Sequence, residues 1–192
     1  MNLKLFKYIS PAHYMNKTTK NLLDIFFRYL ILVLLGLINI WIFYVIFTPL
    51  TVYPVYHLLN LLFESILKGN LIYMGEKIIE IVPACVAGAA YYLLLILNLA
   101  TPNIKLKKRV KMITWSFVIL LILNVLRIFF LSLLYIGDFA LFDIVHKIFW
   151  YFISTLFVIA IWFKQVKIFK IKDIPIYSDI KFLYKKSTLR PK

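Results

Sequence analysis

The chain alternates between long apolar runs and short polar segments that are mostly basic. An apolar run of about 20 residues is long enough to cross the hydrocarbon core of a bilayer as a helix. Four such runs are present, at about 25–47, from a start between 76 and 83 to 100, at about 112–136 and at about 140–163. The pattern predicts an all-α fold, a polytopic membrane helical bundle with about four full spans.

The segment 49–67 differs from these runs because polar residues interrupt it. On a helix, His57, Asn60 and Glu64 are three and four residues apart and form one polar stripe. Such a stripe favours a helix at the membrane interface, or a re-entrant segment, over a lipid-facing span. We expect the following segment, 71–82, to be extended and then to form the outer turns of the next helix.

The overall composition also indicates a membrane protein. The 192 residues are 63% hydrophobic and 16% charged, whereas an ordinary soluble domain is about half apolar and about a quarter charged. The length suits one compact bundle. A single cysteine excludes an internal disulfide and argues against a metal site built from several cysteines. We expect neither a metal nor an organic cofactor.

The net charge of +15 is better explained by topology than by nucleic-acid binding. Basic residues collect beside the apolar runs, and such residues mark cytoplasmic segments. The chain is therefore divided into a cytoplasmic arm, 1–24, a transmembrane bundle, 25–163, and a cytoplasmic tail, 164–192, with a basic loop at 105–111. Four crossings place both termini and this loop on the cytoplasmic side. A full crossing by 49–67 would break this agreement.

Three chemically distinctive residues lie at a similar height in successive predicted spans. Cys85 and Arg127 each lie 16 residues, and His146 lies 18 residues, from the basic end of its span. At the helical rise these separations are about 24 to 27 Å, which places a thiol, a guanidinium and an imidazole in one layer of the outer half of the bilayer. A charge such as Arg127 within a span is costly and normally faces the bundle interior with a partner.

This layer suits nucleophilic chemistry. The thiolate of Cys85 is the candidate nucleophile, and a nearby cation favours that form of the thiol. His146 is placed to accept the thiol proton or to protonate a leaving group, and Arg127 to stabilise the thiolate or an oxyanion. Asn124 and Asp143 lie one turn before Arg127 and His146, on the same helix faces, as supporting groups. Whether Arg127 or His146 activates the thiol stays open.

A cysteine among small residues at a helix start, Asn124-x-x-Arg127 in the next span and His146 opening the following one resemble the exosortase/archaeosortase family. The resemblance covers about 70–155. It implies a multi-pass cell-membrane cysteine transpeptidase with an outward-facing active site. Its substrates would be membrane-anchored proteins with a C-terminal signal made of a short motif, a transmembrane helix and a basic end. It also implies that Cys85 is the nucleophile and that Arg127 and His146 are its catalytic partners.

Many members carry Ser or Thr and then Gly directly after the cysteine, whereas Val86-Ala87-Gly88 places the glycine one residue later here. The alternative hypothesis is a non-enzymatic multi-pass protein, an assembly factor or a small transporter. In that case Arg127 and His146 would bind an anion or each other. Intramembrane proteases of other chemistry are disfavoured, because the chain has neither Gly-x-Ser-x-Gly nor His-Glu-x-x-His.

Overall fold

The computed structural model describes residues 17–37 and 41–186, and most of these residues are helical. The helices are α1 Lys17–Leu37, α2 Trp41–Asn60, α3 Pro83–Val86, α4 Gly88–Leu99, α5 Leu106–Ile136, α6 Phe142–Ile148, the π-helix Phe149–Ile153, α7 Ser154–Ile168 and α8 Tyr177–Lys186. The strands are β1 Ile66–Lys68, β2 Leu71–Met74 and β3 Lys77–Glu80. Most of the predicted arm, 1–16, and the end of the predicted tail, 187–192, lie outside the described residues.

Helices α1 and α2 pack one after the other along α4, and both run antiparallel to it. As the residue number rises through α1 and α2, the number of the partner on α4 falls. The pairs are Arg28 with the carbonyl of Leu99, the carbonyl of Leu32 with the hydroxyl of Tyr92, and the ring of Tyr44 with Gly88. The two helices therefore lead the chain from one end of the bundle to the other.

Three helical stretches among the described residues are long and apolar enough to cross a membrane: Trp41–Asn60, Leu106–Ile136 and Phe142–Ile168. The shorter apolar stretch Pro83–Leu99 lies between the first two. The protein is thus a helical bundle compatible with insertion in a membrane. The number of full crossings stays a prediction.

The first predicted span, 25–47, includes residues 38–40, which lie outside the described residues. Its described parts belong to α1 and α2, and the candidate span found there begins at Trp41. The expected interfacial segment 49–67 is also divided, since its first part continues α2 through Pro49 and Pro54. A proline removes one backbone hydrogen bond from a helix. Here packing outweighs that loss, because the same part of α2 contributes fully buried side chains to the core.

Residues 66–80 form a three-stranded antiparallel sheet. The predicted all-α fold is therefore wrong for this segment. Two-residue turns join the strands, with Gly69 and Gly75 at their first central positions at φ values of 63° and 58°. Glycine at this position is typical of type II′ hairpin turns, which match the twist of the strands. The extended segment expected within 71–82 is present as β2 and β3.

An aromatic cluster joins α2, α4 and α5 in the middle of the bundle. The ring of Tyr91, which is fully buried, stacks on Phe47 with a centroid distance of 3.7 Å. Phe117 of α5 meets Tyr91 edge-on at 5.3 Å. Large aromatic rings bury much apolar surface, and edge-on pairs add a favourable electrostatic contact. This cluster fixes the relative height of α2, α4 and α5, and α5 carries Asn124 and Arg127.

The basic segments meet at one end of the bundle. Arg28 is 5% exposed and forms ion pairs with Asp24 and Asp179, both at 2.9 Å. Arg109, at the start of α5, donates to the carbonyls of Asn98 and Leu99 at 2.6 and 3.0 Å. The start of α1, the basic loop and α8 therefore share one end, as the charge pattern predicts. The membrane side on which this end lies stays a prediction.

The two carboxylates that bind Arg28 provide a matched test of this end of the fold. Their side chains are 4% exposed for Asp179 and 57% exposed for Asp24. Asp179→Asn should lower the free energy of unfolding by about 3 kcal/mol, because it removes the buried one of the two carboxylates that pair with a buried guanidinium. Asp24→Asn should cost less than about 1 kcal/mol, since water screens that pair. Thermal or denaturant unfolding of the purified protein in detergent measures both, and equal losses would contradict the assignment.

Candidate active site

Cys85 lies in a short helical turn, α3, directly before a break in the helix at Ala87. Pro83 starts α3, where its missing N–H is not needed. Ala87 then adopts the left-handed conformation, with φ 62° and ψ 36°, and α4 begins at Gly88. The ring of Tyr44 packs closely against Gly88, and glycine leaves room for this contact, because a Cβ there would lie 2.8 Å from that ring. The sequence places the cysteine near a helix start, and the structure adds the break after it.

Two donors from α5 bind the backbone carbonyl of Cys85. The amide nitrogen Nδ2 of Asn124 lies 2.9 Å from this oxygen, and Nη2 of Arg127 lies 3.3 Å from it. The left-handed residue Ala87 takes the carbonyl out of the regular helical ladder, and a buried carbonyl needs a donor. Asn124 and Arg127 thus share one face of α5, as predicted. Their hydrogen bonds go to the backbone of Cys85 and not to its thiol.

The guanidinium of Arg127 is buried between α3, α5 and α7. The residue is 7% exposed, and its Nη1 donates a short hydrogen bond to Oγ of Ser154. Its Nε has no hydrogen-bond partner, and no carboxylate forms an ion pair with it, among the described residues. A buried charge of this kind is held by neutral oxygen atoms, and one of its donors remains free.

Ser154 is a member of this cluster that the sequence analysis missed. Its Oγ accepts from Arg127 and donates to the carbonyl of Phe149 at 2.9 Å. Phe149 opens the π-helix before α7, and such insertions are frequent at functional sites. A serine within an apolar run was the available signal, but the sequence does not reveal the local widening of the helix.

Cys85, Arg127 and His146 line one cavity of about 200 Å³. The cavity lies between β3, α3, the C-terminal half of α5 and α6. Its other walls are mostly apolar and consist of Ile78, Ile79, Glu80, Ile81, Ile128, Leu131, Ser132, Tyr135 and Phe142. The three residues that the sequence placed at one height therefore converge on one small, largely apolar space.

His146 is held by aromatic rings. The imidazole lies nearly parallel to the ring of Phe142, with a centroid distance of 5.5 Å, and meets Trp150 edge-on at 6.2 Å. The residue is half-buried, and its imidazole forms no hydrogen bond with another described residue. Aromatic contacts thus fix the plane of the imidazole while both ring nitrogens stay available to a bound group.

The predicted supporting residue Asp143 lies elsewhere. It is exposed and lines a separate depression with Asp138 and Phe139, and no hydrogen bond joins it to His146. Glu80, which the sequence analysis did not select, lines the cavity instead. It stands at the end of β3, five residues before Cys85 along the chain. The sheet brings this carboxylate to the cavity, and the expectation of an extended segment within 71–82 did not include the strand pairing that places it there.

Among residues 17–37 and 41–186, no group of three or more His, Cys, Asp or Glu side chains comes together that could hold a metal ion. Comparisons of the chain with protein-family models, with curated proteins and with solved structures find no match. The resemblance to the exosortase/archaeosortase family therefore stays a prediction that depends on the residues themselves.

Two neighbouring hydroxyls on α7 test the arrangement around Arg127. Ser154→Ala removes an acceptor from a buried guanidinium and should lower the free energy of unfolding by about 1 to 3 kcal/mol. Thr155→Ala removes an exposed bond to the carbonyl of Tyr151, one turn earlier in the chain, at 3.3 Å, and should cost less than about 0.5 kcal/mol. Unfolding of both variants in detergent gives the comparison. A Ser154→Ala variant as stable as the Thr155→Ala variant would contradict the contact.

Proposed function

We propose that this protein is a membrane-embedded cysteine peptidase or transpeptidase that cleaves the C-terminal sorting signal of membrane-anchored proteins. The observation that carries the proposal is the shared cavity of Cys85, Arg127 and His146. Three separate elements contribute these residues, and each residue has the chemistry that thiol-based acyl transfer needs. The resemblance noted in the sequence supports the choice of substrate class.

The reaction proceeds by acyl transfer through the thiol. The proton of the Cys85 thiol passes to His146, and the thiolate attacks the scissile carbonyl carbon. The tetrahedral intermediate then collapses to a thioester, and the amine leaves with a proton from His146. Water, or an amine or hydroxyl of a membrane or surface acceptor, attacks the thioester, gives the carboxylic acid, amide or ester, and restores the thiol. The guanidinium of Arg127, which lines the same cavity, supplies positive charge for the negative charge that develops on the carbonyl oxygen.

The proposed orientation follows from the two ends of α5. Arg109 lies at the end where the basic segments meet, and Arg127 lies about 27 Å further along the helix. If the basic end is cytoplasmic, the cavity faces the outer side of the cell membrane, with both termini inside. A substrate with a cytoplasmic basic end and a spanning helix would then present its motif at the height of Cys85. Membrane lipid would surround the bundle and the spanning helix of the substrate.

One observation favours the alternative function. Asn124 and Arg127 donate to the carbonyl of Cys85, so the same contacts also serve to stabilise the break after α3. In a non-enzymatic assembly factor or small transporter, this stabilisation and the binding of an anion would be the whole role of Arg127. The two hypotheses differ in whether the thiol itself is needed.

Removal of the thiol tests the proposed reaction directly. Cys85→Ala should abolish processing of a co-expressed membrane protein that carries the motif, the apolar helix and the basic end, because the thioester cannot form. Asp143→Asn is the matched control, since Asp143 is exposed and lies outside the cavity, and it should process the partner normally. Immunoblotting of the partner separates the uncleaved and cleaved forms. Unchanged processing by a folded Cys85→Ala variant would reject the nucleophile.

The reactivity of the thiol tests the role of His146. Cys85 is the single cysteine, so alkylation reports on one site. His146→Gln should slow the reaction of the purified protein with iodoacetamide by about tenfold or more, because the thiolate is the reactive form and the imidazole accepts its proton. Mass spectrometry of timed samples gives the rate. Asp143→Asn should react at the original rate, and an equally fast His146→Gln variant would favour the non-enzymatic function.

A further inference from the structure

The strand β3 leaves an unpaired edge beside the cavity of Cys85. The sheet order is β1-β2-β3, so β3 pairs on one side only. Met74 and Lys77 close the two-residue turn, and the N–H of Ile81 bonds to the carbonyl of Asn70 at 2.9 Å. In an antiparallel pair, alternate residues direct their backbone groups to the partner strand. The backbone N–H and C=O groups of Ile78 and Glu80 therefore point away from β2.

No described residue bonds to these outward groups. Among residues 17–37 and 41–186, no hydrogen bond outside the sheet involves the backbone of Ile78 or Glu80. Both residues are exposed, Ile78 by 49%. An open edge of this kind is a template for pairing with another extended chain, and proteins usually cover or shorten such edges.

The open edge faces the cavity. Four consecutive residues, 78–81, line it together with Cys85. Because successive side chains of a strand point to opposite faces of the sheet, a cavity against one face would be lined by alternate residues. Lining by all four indicates that the cavity runs along the edge of the strand. The chain then reaches Cys85 within five residues of Glu80.

The sheet is also fixed in place over α5. Nζ of Lys77, at the start of β3, donates to the carbonyls of Tyr135 and Ile136 at 3.2 and 2.7 Å and to Asp138 at 2.6 Å. A lysine at the end of a helix satisfies the last carbonyls, which have no partner within the helix. These bonds hold β3 at the C-terminus of α5, so the edge has a defined position relative to Arg127 and Cys85.

We propose that the outer edge of β3 binds an extended peptide as a fourth strand, with backbone hydrogen bonds to Ile78 and Glu80, and so presents it to the thiol of Cys85. Only another extended backbone offers donors and acceptors at the spacing of this edge, and strand addition is a known mode of peptide recognition. The mostly apolar walls of the cavity favour apolar side chains in the bound segment. This inference rests on the proposed function, because the peptide would be the segment of the substrate that is cleaved.

Proline substitutions on the two edges of the sheet give a matched test. Ile78→Pro removes one outward N–H from β3, and proline is tolerated on the open side of an edge strand. Leu67→Pro is the control. Leu67 of β1 lies opposite Ile72 of β2, next to the pair that closes the first turn, so the N–H of Leu67 also points away from β2. Leu67 does not line the cavity. Each variant is purified as the full chain in detergent.

The probe is an acetylated tetrapeptide of alternating valine and alanine with a C-terminal chloromethyl ketone, which alkylates the thiol. Its rate is compared with that of iodoacetamide. With the unaltered protein, the peptide chloromethyl ketone should react faster than a simple chloromethyl ketone that carries no peptide. Ile78→Pro, or N-methylation of the peptide backbone, should lower the peptide rate by about tenfold, as expected for a lost hydrogen bond. The iodoacetamide rate, and both rates of Leu67→Pro, should stay unchanged.

The outcomes separate this inference from the proposed function. A peptide rate that Ile78→Pro leaves unchanged, or no advantage from the peptide, would overturn strand addition while a reactive thiol still supported the peptidase. A thiol that reacts with neither reagent would overturn the peptidase and the inference together. A protein that is dimeric in detergent and becomes monomeric in Ile78→Pro would show that the edge pairs with a second copy, which also overturns peptide binding.

Discussion

A positive charge buried in an apolar bundle needs oxygen atoms around it, and the guanidinium of Arg127 imposes this constraint on its neighbours. Its acceptors are the carbonyl of Cys85 and the hydroxyl of Ser154, on two other helices. Since no carboxylate forms an ion pair with Arg127 among the described residues, its charge is not neutralised locally. The guanidinium therefore presents an unpaired positive charge beside Cys85, which suits the stabilisation of a developing negative charge, while Glu80 is the carboxylate in the lining of the same cavity.

The same constraint explains the irregular backbone around the site. The left-handed Ala87 ends α3 and leaves the carbonyl of Cys85 to accept hydrogen bonds from α5. A non-glycine residue in this conformation costs on the order of 1 kcal/mol. The hydrogen bonds from Asn124 and Arg127 offset the cost. The π-helix before Ser154 is the corresponding irregularity on the other side of the guanidinium. Strained or widened backbone next to a buried charge is typical of a functional site.

The sequence was informative wherever periodicity or length carried the signal. The long apolar runs predicted a helical membrane bundle, and the helical rise placed Cys85, Arg127 and His146 at one height. The structure brings these three to one cavity. The spacing of Asn124 and Arg127 also predicted their common face. Their roles in catalysis remain predictions, since position does not show activity.

The sequence was uninformative where short segments and tertiary contacts decide the structure. An extended segment was expected within 71–82, but strands of three or four residues carry too little periodicity to predict β1 or the pairing of the strands, so the sheet that brings Glu80 to the cavity was missed. The spacing of Asp143 and His146 suggested a pair, but His146 lines the cavity of Cys85 whereas Asp143 lines a different depression. The ion pair of Arg28 with Asp179 joins distant parts of the chain, which local patterns cannot reveal.

The central claim is that the thiol of Cys85 opens into a space shared with Arg127 and His146. An experimental structure of the protein alkylated by iodoacetamide tests this claim most directly, because the added amide marks where the sulfur points. The account predicts that the amide lies in the cavity beside β3, with its oxygen within about 3.5 Å of a nitrogen of Arg127 or His146. An adduct directed toward lipid, away from both side chains, would contradict the account.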